Sequence, residues 1–243
     1  MTIEIIPVPV DDEIVSGDEL AAIIHARSGP LLDRDVVVVT QKAVSKAEGR
    51  VVDLAGVQPT AAAVELAGSD SDPRIVEVIL RESQRVVRHR GPLIITETHH
   101  GFICASAGVD RSNAPRPDSV VLLPRHPDAS ALALRHRLEE LSGAKLAVII
   151  ADTMGRPQRE GIVGTAIGSS GIEPLRDLAG LVDPNGYHLS TTVVAVADEL
   201  AAAADLVLGK LERVPAAVIR GYGVTGDGPA SLLIRDRSLD LFA

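Results

Sequence analysis

The stretch VIIADTMGRPQRE, residues 148–160, follows an apolar run with two oxygen donors and two guanidinium groups. Asp152 and Thr153 carry the hard oxygen atoms that magnesium and manganese prefer, and such cations commonly bridge a carboxylate to substrate phosphates. Arg156 and Arg159 could neutralise charge that develops during phosphoryl transfer. The pattern predicts a metal-assisted phosphate site, and the structural alternative is a helix N-cap followed by surface arginines.

A second polar segment, VVVVTQKAVSKAEGR at residues 36–50, runs from an apolar strand pattern into Gln41, Lys42 and Lys46. A lysine near the carboxyl end of a strand is well placed to meet a phosphate. This segment is therefore a candidate for nucleotide or phosphate binding. The alternative is a solvated loop.

A third segment, GFICASAGVDRSNAP at residues 101–115, surrounds Asp110 and Asn113 with small residues. Small residues let the backbone approach a ligand closely, an aspartate can bind metal, and an asparagine amide can recognise the edge of a base or a ribose. The alternative is an Asx-type turn in which both side chains cap their own backbone.

Helix and strand signals alternate around these segments. The helix signals include an N-cap at Asp72 followed by proline at N1 and a capping-box spacing from Ser16 to Glu19. Short β-branched runs bounded by Gly, Pro and Asp suit strands that are covered on both faces. The predicted class is α/β with mixed sheets. The helices are expected at 20–27, 73–90, 129–141 and 196–211, and the strands at 36–40, 92–96, 120–123, 146–151, 191–196 and 216–219.

Three further stretches are rich in glycine or in turn-forming residues. Gly221, Gly223 and Gly226 match G-x-G-x-x-G, but only 17 residues follow, too few for a dinucleotide-binding unit. GIVGTAIGSSGIEPL, residues 161–175, is predicted to be a phosphate nest or a tight loop. Pro-Asn-Gly in VDPNGYHL predicts a turn. Walker-type and nucleophile-elbow motifs do not occur in the sequence.

Composition limits the function classes. The 243 residues, 46% of them hydrophobic, can form one large domain or two small ones. The formal net charge of −9 and the scarcity of aromatic residues argue against nucleic acid. No apolar run is long enough to span a membrane, so we expect a cytoplasmic protein. The single cysteine, Cys104, is expected to be a buried thiol, and zinc has no cysteine cluster to bind.

Six ordered blocks, which cover nearly the whole chain, resemble the coenzyme F420-0:γ-glutamyl ligase family. They are VVVVTQKAVSKAEGR, GFICASAGVDRSNAP, LLPRHPDASA, IIADTMGRPQREG, AIGSSGIEPLRDLAGLVDPNG and AVADELAAAADLVLGKLERVPAAVIRG. The resemblance implies GTP-dependent ligation of L-glutamate to coenzyme F420-0, with further γ-glutamyl additions. It also implies Mg²⁺ or Mn²⁺, names K⁺ as a further candidate ion, and implies an unusual α/β fold that forms an intertwined homodimer.

The resemblance also assigns roles to residues of this chain. Asp110, Asp152 and Lys46 would be catalytic, and Asp110, Asp152 and Thr153 would hold the metal. The nucleotide would be bound by Asp11, Asp12, Glu13, Ile14, Gln41, Lys46, Asn113, Gly209 and Lys210. The sequence departs from the family pattern at residues 11–14, where the family carries a Gly/Pro/Leu-type segment, and at position 41, where a small hydroxyl residue is common.

Phosphorylation of a carboxylate by GTP would give an acyl phosphate that the glutamate amine can attack, and bound metal would bridge the phosphates. Two other classes stay open at this point: a metal-dependent nucleotide phosphohydrolase or phosphotransferase, and a non-catalytic GTP-binding module. Residues 1–243 are expected to form a single ligase domain. Some actinobacterial relatives carry a flavin-binding domain after this one, and the sequence ends near where that domain would begin.

Overall fold

The computed structural model describes residues 2–223 and 226–240, in which helices and strands alternate. The class is α/β with mixed sheets, as predicted from the sequence. The helices are α1 (Leu20–Arg27), α2 (Gln41–Ala47), α3 (Ala61–Ala67), α4 (Pro73–Arg81), α5 (Pro127–Ser142) and α6 (Val196–Leu208). The strands are β1 (Glu4–Val8), β2 (Val36–Thr40), β3 (Val51–Asp53), β4 (Ser83–Arg90), β5 (Leu93–Thr98), β6 (Ile103–Ala105), β7 (Ser119–Val121), β8 (Ala147–Arg156), β9 (Arg159–Ser170), β10 (Arg176–Asp177), β11 (Val193–Val194) and β12 (Ala216–Arg220).

Five strands form the central sheet, in the spatial order β1, β12, β2, β8, β9. Strands β2 and β8 run parallel, and the other neighbours in this sheet are antiparallel. Helices α1, α2 and α5 pack on one face and α6 packs on the other, which is why Val36, Val37, Val38 and Val39 are fully buried. Strands β2 and β8 are parallel neighbours, and the carboxyl end of β2 lies beside the middle of β8, where Thr40 pairs with Ala151.

Two glycines of β9 let helices lie close against this sheet. A Cβ atom at Gly164 would lie 2.5 Å from the carbonyl oxygen of Ala201 in α6, and one at Gly168 would overlap the backbone of Pro127 in α5. A glycine inside a strand often marks such a close approach of another backbone. The prediction of a phosphate nest or tight loop at 161–175 is therefore wrong for residues 161–170, which belong to β9 and in which Gly164 and Gly168 pack against helices.

A second sheet, of order β4, β5, β6, lies with α3, α4, β3 and β7 around a separate apolar cluster. The helix predicted over 73–90 begins as expected, with Asp72 accepting a hydrogen bond from the Arg74 amide. It ends at Arg81, and the rest of the predicted helix is strand β4. Val86 is partly exposed and pairs with Thr96 of β5, so the apolar stripe of α4 stops before it.

Other boundaries also shift from the predicted ones. Strand β8 continues past the predicted end at residue 151, so Asp152 lies inside a strand and caps no helix. Only Val193–Val194 of the predicted strand 191–196 pairs with another strand. Helix α6 ends at Leu208, before the predicted end at residue 211. The Pro-Asn-Gly turn is confirmed, with Asp183 accepting from two backbone amides of the turn. No helix within residues 2–223 and 226–240 is both long and apolar enough to cross a membrane.

Glycines of the G-x-G-x-x-G match adopt turn conformations. Gly221, Gly223 and Gly226 all have positive φ, which agrees with the interpretation of this stretch as a turn. Residues 224 and 225 lie outside the described part of the chain. Cys104 lies in β6, and its side chain is mostly but not fully buried.

Candidate functional site

A cavity of about 400 Å³ opens where the carboxyl end of β2 meets β8. Ligands of open α/β sheets commonly bind at this position, outside the carboxyl ends of parallel strands. The lining includes all of the site residues that the resemblance assigns except Asp11 and Asp110. Its polar members are Asp12, Glu13, Thr40, Gln41, Lys42, Lys46, Asn113, Asp152, Thr153, Asp205, Lys210 and Arg213, and apolar members include Ile14 and Leu208.

Asp110 and Lys42 form an ion pair at the edge of this cavity. The Lys42 Nζ atom lies 2.6 Å from Asp110 Oδ2 and also contacts the Ser112 hydroxyl. Ser112 in turn donates to Asp110 through its amide at 2.7 Å and its hydroxyl at 2.9 Å. Burial alone would raise the pKa of Asp110, but the Lys42 and Ser112 hydrogen bonds outweigh it and hold that pKa below its ordinary value.

Asp152 is the second carboxylate at this edge. Burial raises its pKa to about 6, even though the Thr153 amide donates to Asp152 Oδ1 at 2.8 Å. The nearby charge of Lys42 lowers the pKa of Asp152, whereas the charge of Asp110 raises it. Asp110, Lys42 and Asp152 therefore form one electrostatic group, assembled from three separate segments of the chain.

Lys46 lies one helical turn after Lys42 on α2, so both lysines project from the same face of the helix. Lys46 is only 9% exposed, and its Nζ atom lies 2.5 Å from Glu13 Oε1. The Glu13 side chain is about half exposed, at 49%. The ammonium group thus lies buried at the cavity wall, while its acidic partner can move into solvent.

Gln41 is fully buried, and its amide nitrogen donates to Ser45 Oγ and to the Leu122 carbonyl, at 2.8 and 2.7 Å. The bond to Ser45 lies within α2, and the bond to Leu122 anchors α2 to the segment after β7. The side-chain oxygen is therefore the group that a ligand could meet. Ile14 belongs to the main apolar core. Asp11 contributes its carbonyl oxygen, which accepts from Arg213 at 2.5 Å.

Thr153, Asn113 and Lys210 also line the cavity. The Lys210 ammonium donates to the Thr153 hydroxyl at 3.3 Å, and the Asn113 amide donates to the Lys210 carbonyl at 3.2 Å. Gly209, just after α6, has a φ of +56°, a conformation that glycine adopts at low cost. This positive φ turns the chain from α6 toward Asn113.

Sequence reasoning missed two side chains of the site, Asp205 and Arg213, and it placed Lys42 in a candidate phosphate-binding segment although the resemblance assigns that lysine no role. Asp205 lies in an alanine-rich helix where no sequence signal marks it. The predicted pair Arg156 and Arg159 lies instead at the exposed turn between β8 and β9, outside the cavity lining.

The donor set at this edge fits a hard divalent cation that is shared with a substrate. Within the described residues, no group of three or more His, Cys, Asp or Glu side chains could hold a metal. Two carboxylates and the Thr153 hydroxyl are nevertheless oxygen donors. Magnesium is usually bound through one or two carboxylates, with water and substrate phosphate completing its shell.

Known proteins of one family resemble this chain over most of its length. Residues 11–221 match the model of the family described as F420-0:Gamma-glutamyl ligase. The chain is 46% identical to the coenzyme F420:L-glutamate ligase of Methanopyrus kandleri, over 99% of this chain and 98% of that protein. It is also 46% identical to the protein of that name from Methanothermobacter thermautotrophicus, over 93% of each chain, and 44% identical to that from Methanocaldococcus jannaschii, over 88% and 86%. The chain therefore belongs to the F420-0:γ-glutamyl ligase family, and it is a ligase.

Proposed function

We propose that this ligase joins L-glutamate to coenzyme F420-0 through an amide bond, adds further γ-linked glutamates, and uses GTP and a divalent cation to do so. One observation carries the proposal. Two lysines from one face of α2 converge with Asp152 and the Asp110 ion pair in a cavity at the edge of the sheet. The names of the relatives supply the substrates, and the cavity supplies groups suited to a nucleotide.

Lys46 is the proposed ligand of the nucleotide phosphates. Its ammonium is nearly buried, so a phosphate that reaches it would bind in a region where water screens charge poorly. The Glu13 side chain would move into solvent as a phosphate takes its place beside the Lys46 ammonium. Asn113 and Lys210, which also line the cavity, would contact the base or the ribose, together with the backbone of residues 11–14.

A divalent cation, Mg²⁺ or Mn²⁺, would be held by Asp110, Asp152 and Thr153. Bound there, it would offset the charge of the triphosphate and bridge it to an otherwise acidic protein. The protein has a net charge of −9, so local cations have to compensate for the long-range repulsion of a nucleotide.

The proposed reaction proceeds through an acyl phosphate. A carboxylate of F420-0 attacks the γ-phosphorus of GTP, and GDP leaves. The amine of glutamate then attacks the acyl carbon, inorganic phosphate departs, and an amide forms. Lys46 would stabilise the charge on the transferring phosphoryl group, and the cavity walls would align the reactants.

A homodimer is also part of the proposal. Residues 176–194, which run from β10 to β11, expose large apolar side chains. Leu181, Val182, Tyr187 and Val193 are each more than half exposed, a concentration that is typical of an interaction surface. We expect light scattering to give twice the 25.5 kDa mass of the chain, and a mass of 25.5 kDa would count against the dimer.

The reaction is tested by measuring GDP release with and without glutamate and F420-0, and by identifying the new amide by mass. We expect GDP release to require both substrates, and we expect Asp152→Ala to abolish it. Asp70→Ala, which changes an exposed carboxylate whose described hydrogen bond is to Ser69, is the matched control. Release of GDP without glutamate would indicate a phosphohydrolase, and binding of GTP without release would indicate a binding module.

A further inference from the structure

We infer that Lys42 is an internal counter-ion that occupies the place of the divalent cation beside Asp110 and Asp152, and that it must leave before the cation binds. The inference rests on the proposed metal dependence and deepens it. It assigns a positioning role to a lysine that the resemblance does not include among the nucleotide or metal ligands.

The contacts of Lys42 differ from those of an ordinary surface lysine. Its side chain is 19% exposed and lines the cavity, and its ammonium bonds to Asp110 Oδ2 and to the Ser112 hydroxyl. Ser112 binds the same Asp110 carboxylate through its amide and its hydroxyl. The ammonium is therefore fixed against a candidate metal ligand by a second polar group.

The other lysine of α2 has a different kind of partner. Lys46 bonds to Glu13, an exposed acid on a loop that the resemblance does not place among the metal ligands. Displacement of Glu13 by a phosphate would leave the metal site intact. Displacement of Lys42 from Asp110, in contrast, is the event that would free an oxygen of that carboxylate for a cation.

Electrostatic repulsion prevents the Lys42 ammonium and a divalent cation from lying beside the two carboxylates at the same time. Asp110 and Asp152 influence each other as like charges, and the Lys42 ammonium reduces that repulsion. A divalent cation that binds both carboxylates would do the same more strongly, but it would repel an ammonium a few ångströms away. After displacement, Lys42 still lines the cavity, where a nucleotide phosphate can accept its hydrogen bonds.

The test is the affinity of the full chain for Mn²⁺ in the absence of nucleotide, measured by electron paramagnetic resonance at pH 8. Lys42→Met keeps the length of the side chain and removes its charge, and we expect it to bind Mn²⁺ about fivefold more tightly than the wild type. Lys145→Met makes the same charge change at an exposed site near the amino end of β8, and we expect its affinity to equal that of the wild type.

An unchanged or weaker Mn²⁺ affinity in Lys42→Met would overturn the inference, because the ammonium would then not compete with the cation. Thermal unfolding checks that the variant is folded, and Lys42→Gln replaces it if it is not. Failure of the proposed metal dependence would give a different result in the same Mn²⁺ titration. If the wild type binds no Mn²⁺, or binds it as well after Asp152→Ala, the metal site itself is wrong.

Discussion

Replacing Gly164 by alanine tests whether the contact between β9 and α6 sets the shape of the cavity. The new Cβ atom would lie 2.5 Å from the carbonyl oxygen of Ala201 and 3.1 Å from Asp205 Cβ. Non-bonded atoms of this kind prefer about 3.5 Å, so α6 would have to move by about 1 Å. Forcing a methyl group into such a packed contact typically costs about 1–3 kcal/mol.

The same movement would disturb binding, because α6 carries Asp205 and leads directly into Gly209 and Lys210. We expect Gly164→Ala to lower the midpoint of thermal unfolding by about 2–4 °C for each kcal/mol lost. We also expect it to weaken GTP binding, measured by calorimetry below the unfolding transition.

Gly155→Ala is the matched control on the same hairpin. Gly155 is exposed, it has no positive φ, and an added Cβ atom meets nothing within 4 Å. We expect this variant to stay within about 0.5 kcal/mol of the wild type. If Gly164→Ala is as stable as Gly155→Ala and binds GTP equally well, the reasoning about the contact with α6 is wrong.

Three other predictions follow from single contacts. Lys46→Ala should weaken GTP binding by about tenfold or more, because a nearly buried ammonium is lost, whereas Lys145→Ala should not; equal affinities by calorimetry would rule out the phosphate role. Asp35→Ala should cost about 3 kcal/mol in urea unfolding, since it leaves Arg220 without its bidentate partner at 2.7 and 3.0 Å; a loss below about 1 kcal/mol would contradict this. Burial raises the pKa of Cys104 to about 12, so its thiolate is scarce at pH 8, and iodoacetamide should react more than about a thousandfold more slowly than in the denatured chain; comparable rates by mass spectrometry would refute the burial argument.

The sequence predicted three of the five strands of the central sheet, β2, β8 and β12, because the predicted runs are apolar and buried on both faces, and it missed β1 and β9. Continuous β-branched runs such as 36–40 leave few alternatives, and the parallel pairing of β2 with β8 then brings Lys46 and Asp152 to one edge. The same logic failed for β4. Its residues continue a plausible helix from Pro73, and only pairing with Leu93–Thr98 makes them a strand.

The site was harder to predict where it depends on contacts between remote segments. Nothing in the local sequence pairs Lys42 with Asp110, because that contact requires α2 to pack beside the loop before β7. Gln41 shows the opposite problem. Its position indicated a ligand contact, yet both of its amide hydrogens bond within the protein.

The bond from Arg213 to the Asp11 carbonyl joins residues separated by 202 positions, and Val10 binds the Arg213 backbone in return. One loop follows β1 and the other precedes β12, and these two strands pair along their whole length. Contacts of such long sequence separation form late and slowly in folding. On the ribosome, the cavity therefore stays incomplete until β12 has emerged, so an unfinished chain would carry the cavity's lysines and carboxylates without the loops that confine a ligand.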